Sequence, residues 1–514
     1  MASKGYACTG SKTTSPNRLF PTKDISKLTT PKNQALYIQK HCPTISIHLS
    51  GQQGYTALQS GYWSSFQRDV EPFCFLEPTT PQDVAQILKI LKGLGCPFAV
   101  KSGGHAAFAG ASSAAEGFTV SLRRFREVSV GEDRRTTRVG TGNTWGEVYE
   151  ELRPRGLGVV GGRVKNIGVG GLVLGGGISF FSGRYGWACD GVRNYELVTA
   201  EGEVLQVSQE SQPDLYWALR GGGNQFGVVT RVDLETFEQG DLWGGTRVLL
   251  WEHTEALLDA FYEFAQVGAE ADVDASMYLA FAYAPKPRDI FVASPFFTHA
   301  KGVEEPRVFR EFLKLPHVRS TLRKANLVDL ADELDKTNPN GLRESYWTHN
   351  FLLTREMLSE VTQIWKDEVE TLKDVAGVLP ALVLQPLTRN ILAHFSRNGG
   401  NCLGLSPSPS TPSEPLLLMS VPTMWTDTSK DELVISTLRR MVERCVARSR
   451  EVGAFQRFIY MNYAAREQRV FEGYGEGCLG RLRGVARKWD PEGVLRGQGG
   501  FGLWDGVGKA EGEG

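Results

Sequence analysis

Pro97-Phe98-Ala99-Val100-Lys101-Ser102-Gly103-Gly104-His105, followed closely by Gly110-Ala111-Ser112, reads as a short apolar strand that runs into a glycine turn with one histidine at its end. Upstream, Thr80 can cap a helix whose first turn carries Pro81 and Asp83 and whose apolar stripe is Val84, Ile87, Leu88 and Leu91. Gly93 and Gly95 are expected to stop that helix. Two adjacent glycines let backbone amides approach a ligand with no side chain between, and consecutive free amides make a nest for an anion such as a pyrophosphate. His105 would stand beside that ligand. On its own, Gly-Gly-His after a strand is more often an ordinary tight turn with a surface histidine, so the rest of the chain decides.

At 514 residues the chain has room for about two to four domain-sized units. Lys+Arg 57 against Asp+Glu 58 leaves a net charge of -1, no footprint for nucleic acid or an anionic membrane. A small-molecule substrate and a monomeric protein are expected. The N-terminal Met1-Ala-Ser-Lys-Gly-Tyr has no apolar run resembling a signal peptide, and no later segment is apolar for the length of a membrane span. The expectation is a protein that stays where it is made. Its 8 cysteines are scattered, without a Cys-x-x-Cys pair or clustered histidines, against both a zinc site and a disulfide scaffold.

Residues 1 to about 70 read as polar and irregular, with one helical patch near Gln34 to Lys40, and end at Tyr62-Trp63, an aromatic pair expected to be core packing. From Pro72 short β-rich runs alternate with helices: Phe118 to Leu122, Glu127 to Val130 and Thr136 to Val139 as strands, then a Thr-x-x-Glu capping box at Thr144. The excess glycine concentrates further on. Gly161 to Gly177 holds Gly168, Gly170, Gly171, Gly175 and Gly176, without a Gly-x-Gly-x-x-Gly helix opening or a phosphate loop, which speaks against a nicotinamide-type Rossmann site. A long irregular glycine ribbon with interleaved Val, Ile and Leu suits backbone packed against a wide, flat cofactor better than a solvated linker. A hairpin turning at Glu201-Gly202 follows, then a helical turn from Asp214 to Arg220, and a strand entered through Gly227 that includes Val229. From about 240 to 455, strands (Thr246 to Trp251, Met277 to Ala284, Ile290 to Phe296, Pro415 to Pro422) alternate with amphipathic helices (Glu255 to Ala265, Asp431 to Arg448), and Ser406 to Ser413 reads as a loop. The tail carries Tyr460-Met461-Asn462-Tyr463 on an expected strand, then an Arg-rich helix and Lys488-Trp489-Asp490-Pro491.

Six blocks in this order, Lys101 to His105, Gly168 to Gly177, Arg184 to Asp190, Asp214 to Gly227, Tyr460 to Tyr463, and Lys488 to Pro491 with Gln498, resemble the flavoproteins of the vanillyl-alcohol-oxidase and p-cresol-methylhydroxylase (PCMH) type. Within them the chain is most similar to the berberine-bridge-enzyme-like group, especially fungal members of secondary metabolism. The resemblance covers nearly the whole chain. It implies an α+β fold: a two-subdomain PCMH-type FAD-binding domain plus a substrate domain with an antiparallel sheet covered by helices. The units are an N-terminal segment 1–70, the FAD-binding domain 71–239, the substrate domain 240–455, and a segment 456–514 that returns to the FAD domain.

The implied cofactor is FAD, held by Lys101, Ser102, Gly103, Gly104, His105, Gly110, Ser112, Gly168, Gly170, Gly171, Gly175, Gly176, Gly227, Val229 and Asn462. The family's histidine at the position of His105 is bonded to the flavin 8α-methyl. Many relatives add a cysteinyl bond from the later glycine block, where this chain has Val164, so His105 alone is expected to be the covalent tether. Hydride passes to flavin N5, a base takes a proton, and O2 is expected to reoxidise the cofactor. Tyr463 corresponds to the family's tyrosine base, and an anion there needs stabilising neighbours. Asn462, alternating to the opposite face, would hold the flavin side. The glutamate base of other relatives has no counterpart in the strand Pro415 to Trp425, and Ile167 falls where a smaller valine is common. Relatives also suggest a Cys42–Cys96 bridge. The resemblance implies an FAD-dependent oxidase or dehydrogenase acting on an alcohol, amine or activated C–H of a polyketide or alkaloid. A carbohydrate oxidase and a non-redox flavin-containing cyclase are the alternatives.

Overall fold

A computed structural model describes residues 28, 30–405 and 414–504; the expected loop at Ser406 to Ser413 and the extreme N-terminus lie outside them. The turn at His105 grows from a four-stranded sheet in which Phe98–Lys101 and Cys74–Glu77 flank Phe118–Ser121 in parallel, with Ser46–Leu49 antiparallel at the edge. The helix Pro81–Leu94 covers this sheet. Thr80 and Asp83 form its capping box, and Gly95 ends it in the left-handed conformation at φ 62°. Gly93 lies inside that helix and does not stop it, because the αL residue is Gly95. The N-terminal region is also more regular than expected: Pro31–His41, Gln53–Ser60 and Ser65–Arg68 are helices and Ser46–Leu49 a strand, since polar residues there sit on exposed faces around a few buried anchors such as Ile38 and Leu58.

A second, antiparallel sheet takes Val228–Glu238 as its centre, between Thr136–Gly140 and Val192–Val198, with Leu157–Val159 also paired to it. The glycine block is not irregular throughout, for Val169–Leu174 is helical with Gly168 as its N-cap. The third sheet has eleven strands between Leu242 and Gln456 and is antiparallel in its pairings. Alternation gives it two faces. Met277, Leu279, Phe281, Leu384, Leu417 and Met419 pack under the helices Thr254–Glu263, Arg355–Val369 and Asp431–Glu451, whereas Tyr278, Leu416 and Leu418 face the FAD-binding half. Of these elements the helix Arg355–Val369 and the strands Thr348–Leu352 and Leu379–Leu387 were not foreseen in the sequence.

A fully buried ion pair fastens the two halves. The Arg220 guanidinium meets Asp190 at 3.2 Å and donates to the carbonyls of Arg397, Asn398 and Gly400. Tyr460 to Tyr463 is not a strand: Met461–Tyr463 is a single 3-10 turn closed by the Tyr463 amide on the Tyr460 carbonyl. Asn462 therefore does not alternate across a sheet. Cys42 is a free, buried thiol, so the Cys42–Cys96 bridge is not formed. Among the described residues no helix is long and apolar enough to cross a membrane.

Candidate active site

Strand Phe98–Lys101 delivers the turn, and two glycines bring a second loop against it. A Cβ on Gly103 would stand 2.6 Å from the Gly168 Cα, and one on Gly168 would stand 2.4 Å from the Gly103 nitrogen, so the two backbones touch where no side chain fits. The Ser102 hydroxyl ties them, donating to the Thr141 carbonyl at 2.6 Å and accepting from the Gly170 amide at 3.2 Å. Gly104 takes φ +71°, and its carbonyl accepts from the Trp63 amide. The amides of Gly103, Gly104 and His105 donate to nothing among the described residues. Three free donors on a glycine turn form the anion nest expected for a pyrophosphate. Gly171, facing open space, borders it.

The His105 ring lies flat on Trp63, with centroids 4.3 Å apart and planes 8° off parallel. Its Nε2 is buried without a partner, and burial pushes the imidazole down to about 4, so it is neutral at neutral pH. Trp63 is buried, as expected of a core residue, and the Gly104 and Gly341 backbone bonds also hold it over the histidine. A neutral imidazole with a free Nε2 beside three free amides fits the histidine and phosphate contacts that FAD requires.

The other predicted contacts divide in two groups. Lys101 points beneath the turn, its ammonium donating to the Leu58 carbonyl at 2.6 Å and resting on the Tyr62 ring, and burial with Arg123 nearby pushes it down to about 7. Ser112 is tied back through Gln67 and Tyr62, next to Gly110 at φ +77°. At Gly175, Gly176 and Gly227 protein atoms already fill the Cβ space: Asn462 Oδ1 at 2.0 Å, Trp187 at 2.6 Å and the Val198 carbonyl at 2.7 Å. Val229 is buried, and its carbonyl accepts from Thr141. Asn462 donates to the Leu172 carbonyl and the Tyr460 hydroxyl, clasping the C-terminal end of the Val169–Leu174 helix.

Opposite the turn stands a polar cluster centred on Arg163. Its guanidinium donates to the Tyr463 hydroxyl at 2.9 Å and to Gln385 Oε1 at 2.6 Å, and lies 5.1 Å from the Tyr278 ring centroid. The segment is held by Lys165 on the Ala331 carbonyl and by Asn166 on Asp335. Arg163 thus supplies the cationic neighbour that negative charge on Tyr463 would need. Tyr346 stacks 5.9 Å from Tyr463 and 5.7 Å from Trp63, which links this cluster to His105. Burial raises Tyr278 and Tyr346 above the ordinary phenol range and keeps both neutral.

The structure adds a carboxyl where the strand Pro415 to Trp425 has none. Glu344, on Arg343–Ser345, pairs in register with Met424. Arg343 faces the helix layer, meeting Asp431, so its strand neighbour Glu344 takes the opposite face. Burial raises the Glu344 carboxyl to about 9. Sequence reasoning missed the roles of Arg163, Glu344 and Trp63, and only Arg163, a charge within a glycine-rich stretch, carried a signal.

Residues 72–208 match the family model described as an FAD binding domain. The chain is 38% identical over 469 residues to the FAD-dependent monooxygenase tpcD of Cochliobolus heterostrophus, covering 89% of this chain and 88% of that one. In fold it is similar to 6-hydroxy-D-nicotine oxidase from Arthrobacter nicotinovorans, with a TM-score of 0.71, 20% identity, and coverage of 88% and 97%. It is also similar to the glucooligosaccharide oxidase of Acremonium strictum, described with a 6-S-cysteinyl, 8α-N1-histidyl FAD, at a TM-score of 0.69, 19% identity, and coverage of 89% and 97%.

Proposed function

The chain belongs to the FAD-linked oxidoreductases of the berberine-bridge-enzyme-like, PCMH-type fold, and on that premise we propose that it oxidises a hydroxylated aromatic secondary metabolite. The observation that carries this reading is the Arg163–Tyr463 pair standing across the site from the His105 turn. FAD bound there supplies the two-electron acceptor. The amides of Gly103, Gly104 and His105 hold the negative charge of its phosphates, and Trp63 fixes the plane of the imidazole. In its anionic form, paired with the Arg163 guanidinium, the Tyr463 oxygen is the atom that would take the substrate proton, becoming the neutral phenol. Leu416, Leu418 and the rings of Tyr278 and Phe296 make an apolar, aromatic wall that excludes water. A sugar would find few hydrogen-bond partners on it, which disfavours the carbohydrate reading.

His105 is the single covalent tether in this proposal. His105 would hold the flavin through its 8α-carbon, and O2 would be the oxidant that such an attachment needs. Val164 has no thiol for a second bond. In acid-precipitated protein the yellow colour is expected in the pellet, and His105→Ala should release it to the supernatant. Colour already free in the wild type would overturn the tether.

A second reading, monooxygenation, is favoured by the name of the 38% identical relative. Turnover under 18O2 separates the two: label in hydrogen peroxide supports oxidation, and label in the organic product supports oxygen insertion. Failure of hydroxyaromatic substrates to bleach bound flavin without air would refute the oxidation reading.

A further inference from the structure

Glu344 is an anomaly that the proton relay does not use. Only 2% of its surface is exposed, Oε1 is sealed from solvent, and neither carboxyl oxygen has a hydrogen-bond partner among the described residues. The nearby cations are committed elsewhere. Arg343 serves Asp431 and Asp69 on the far face of the sheet, and Arg163 serves Tyr463 and Gln385. Burying a carboxyl without donors costs several kcal/mol if ionised and a smaller but real amount if neutral. Native proteins seldom keep such a group unless something else satisfies it.

The position of Glu344 indicates what that something is. Just past the end of that strand stands Tyr346, close enough for the charge of Glu344 to help raise its phenol, and in contact with Trp63 and Tyr463. Tyr346 thus connects Glu344 to the Arg163–Tyr463 pair. A neutral carboxyl offers one O–H donor and one carbonyl acceptor. With Arg163 already in the cluster, a cationic amine would meet repulsion, whereas an acidic hydroxyl at one end and a carbonyl oxygen at the other would satisfy both polar ends.

We propose that Glu344 is a substrate-recognition residue that donates its carboxyl O–H to a carbonyl oxygen, and that the substrates are hydroxyaryl ketones or quinones spanning from Tyr463 to Glu344. This rests on the active-site reading above and narrows it. The flavin-loaded protein is titrated with 6-acetyl-2-naphthol and, as its counterpart without the carbonyl, 6-ethyl-2-naphthol. The wild type is expected to prefer the ketone by about tenfold, the worth of one buried hydrogen bond. Glu344→Leu should erase that preference while leaving the ethyl compound unaffected, and Glu344→Gln, which retains an N–H donor, should keep most of it. Infrared difference spectra between wild type and Glu344→Gln should show a protonated carboxyl band that shifts when the ketone binds.

Equal affinity for the two naphthols in the wild type, or a ketone preference that survives Glu344→Leu, overturns the proposal. So does tight binding of 6-(aminomethyl)-2-naphthol that Glu344→Gln abolishes, because that would make Glu344 a carboxylate for amines. The visible flavin spectrum, recorded in the same samples, keeps the two levels apart. Protein without flavin would refute the family-based reading, whereas flavin-loaded protein without carbonyl preference refutes only the role of Glu344.

Discussion

Trp63→Ala tests the link between the aromatic stack and the covalent tether without needing a substrate. In the structure the indole holds the imidazole at 4.3 Å with planes 8° apart, and backbone bonds from Trp63 to Gly104 and from Gly341 to Trp63 fix the indole in turn. An aromatic pair of this kind is worth roughly 0.5–1.5 kcal/mol beyond its buried area. Losing it lets the ring leave the bonding orientation, so flavin attachment should slow about 2- to 12-fold. Loss of the indole N–H on the Asn338 carbonyl costs about 1 kcal/mol of stability besides. The assay mixes flavin-free protein with FAD, quenches samples in acid over time, and measures flavin in the pellet. Trp63→Phe retains a stacking ring and should attach flavin at close to the wild-type rate, a rescue that a purely structural role would not give. If Trp63→Ala folds normally and attaches flavin at the wild-type rate, the stack has no part in placing His105.

Arg163→Met removes a charge-assisted hydrogen bond from Tyr463, worth about 1.5–3 kcal/mol, so anaerobic flavin reduction by any substrate that bleaches the wild type should slow roughly 10- to 100-fold. In a Tyr463→Phe background the same change should bring little further loss, and additive losses would separate the two residues. Gly175→Ala places a Cβ 2.0 Å from Asn462 Oδ1 and should lower stability by about 1–3 kcal/mol; denaturant titration should show partial recovery on adding Asn462→Ala. For Glu344, the folded-state value of about 9 lies above that of the unfolded chain. Its contribution is therefore fully present below the unfolded carboxyl value and is lost as pH rises toward 9. Glu344→Gln should accordingly gain thermal stability over the wild type at about pH 8.5 and much less at about pH 4.5, and a gain independent of pH would show the carboxyl to be charged or solvated.

The local patterns were legible because their physics is local. The capping box at Thr80, the left-handed Gly95 and the free amides of the Gly103–His105 turn depend on a few neighbouring residues, and six such blocks in order carried the resemblance to a flavoprotein. The Tyr460–Tyr463 segment misled for a related reason. Alternating aromatics suggest a strand, yet the Gly177 and Ile178 amides capture the Tyr460 hydroxyl and Asn462 reaches the Leu172 carbonyl, and the chain turns to make those bonds. At several glycines of the expected cofactor site the space a Cβ would take is filled by protein, at Gly175 by Asn462 above all.

By itself, then, the sequence determined the nest, its histidine and the absence of a thiol at Val164, all set by side-chain identity and backbone freedom within one turn. Only the tertiary structure decided what faces that turn. Arg163 reaches Tyr463 across 300 residues of chain and Gln385 across 222, Trp63 reaches His105 from a neighbouring loop, and Glu344, paired in register with Met424, has its Oε1 buried without a partner among the described residues. Long-range contacts of this kind leave no period or motif in the sequence, since they follow from how three sheets pack together and not from the order of residues within any one of them.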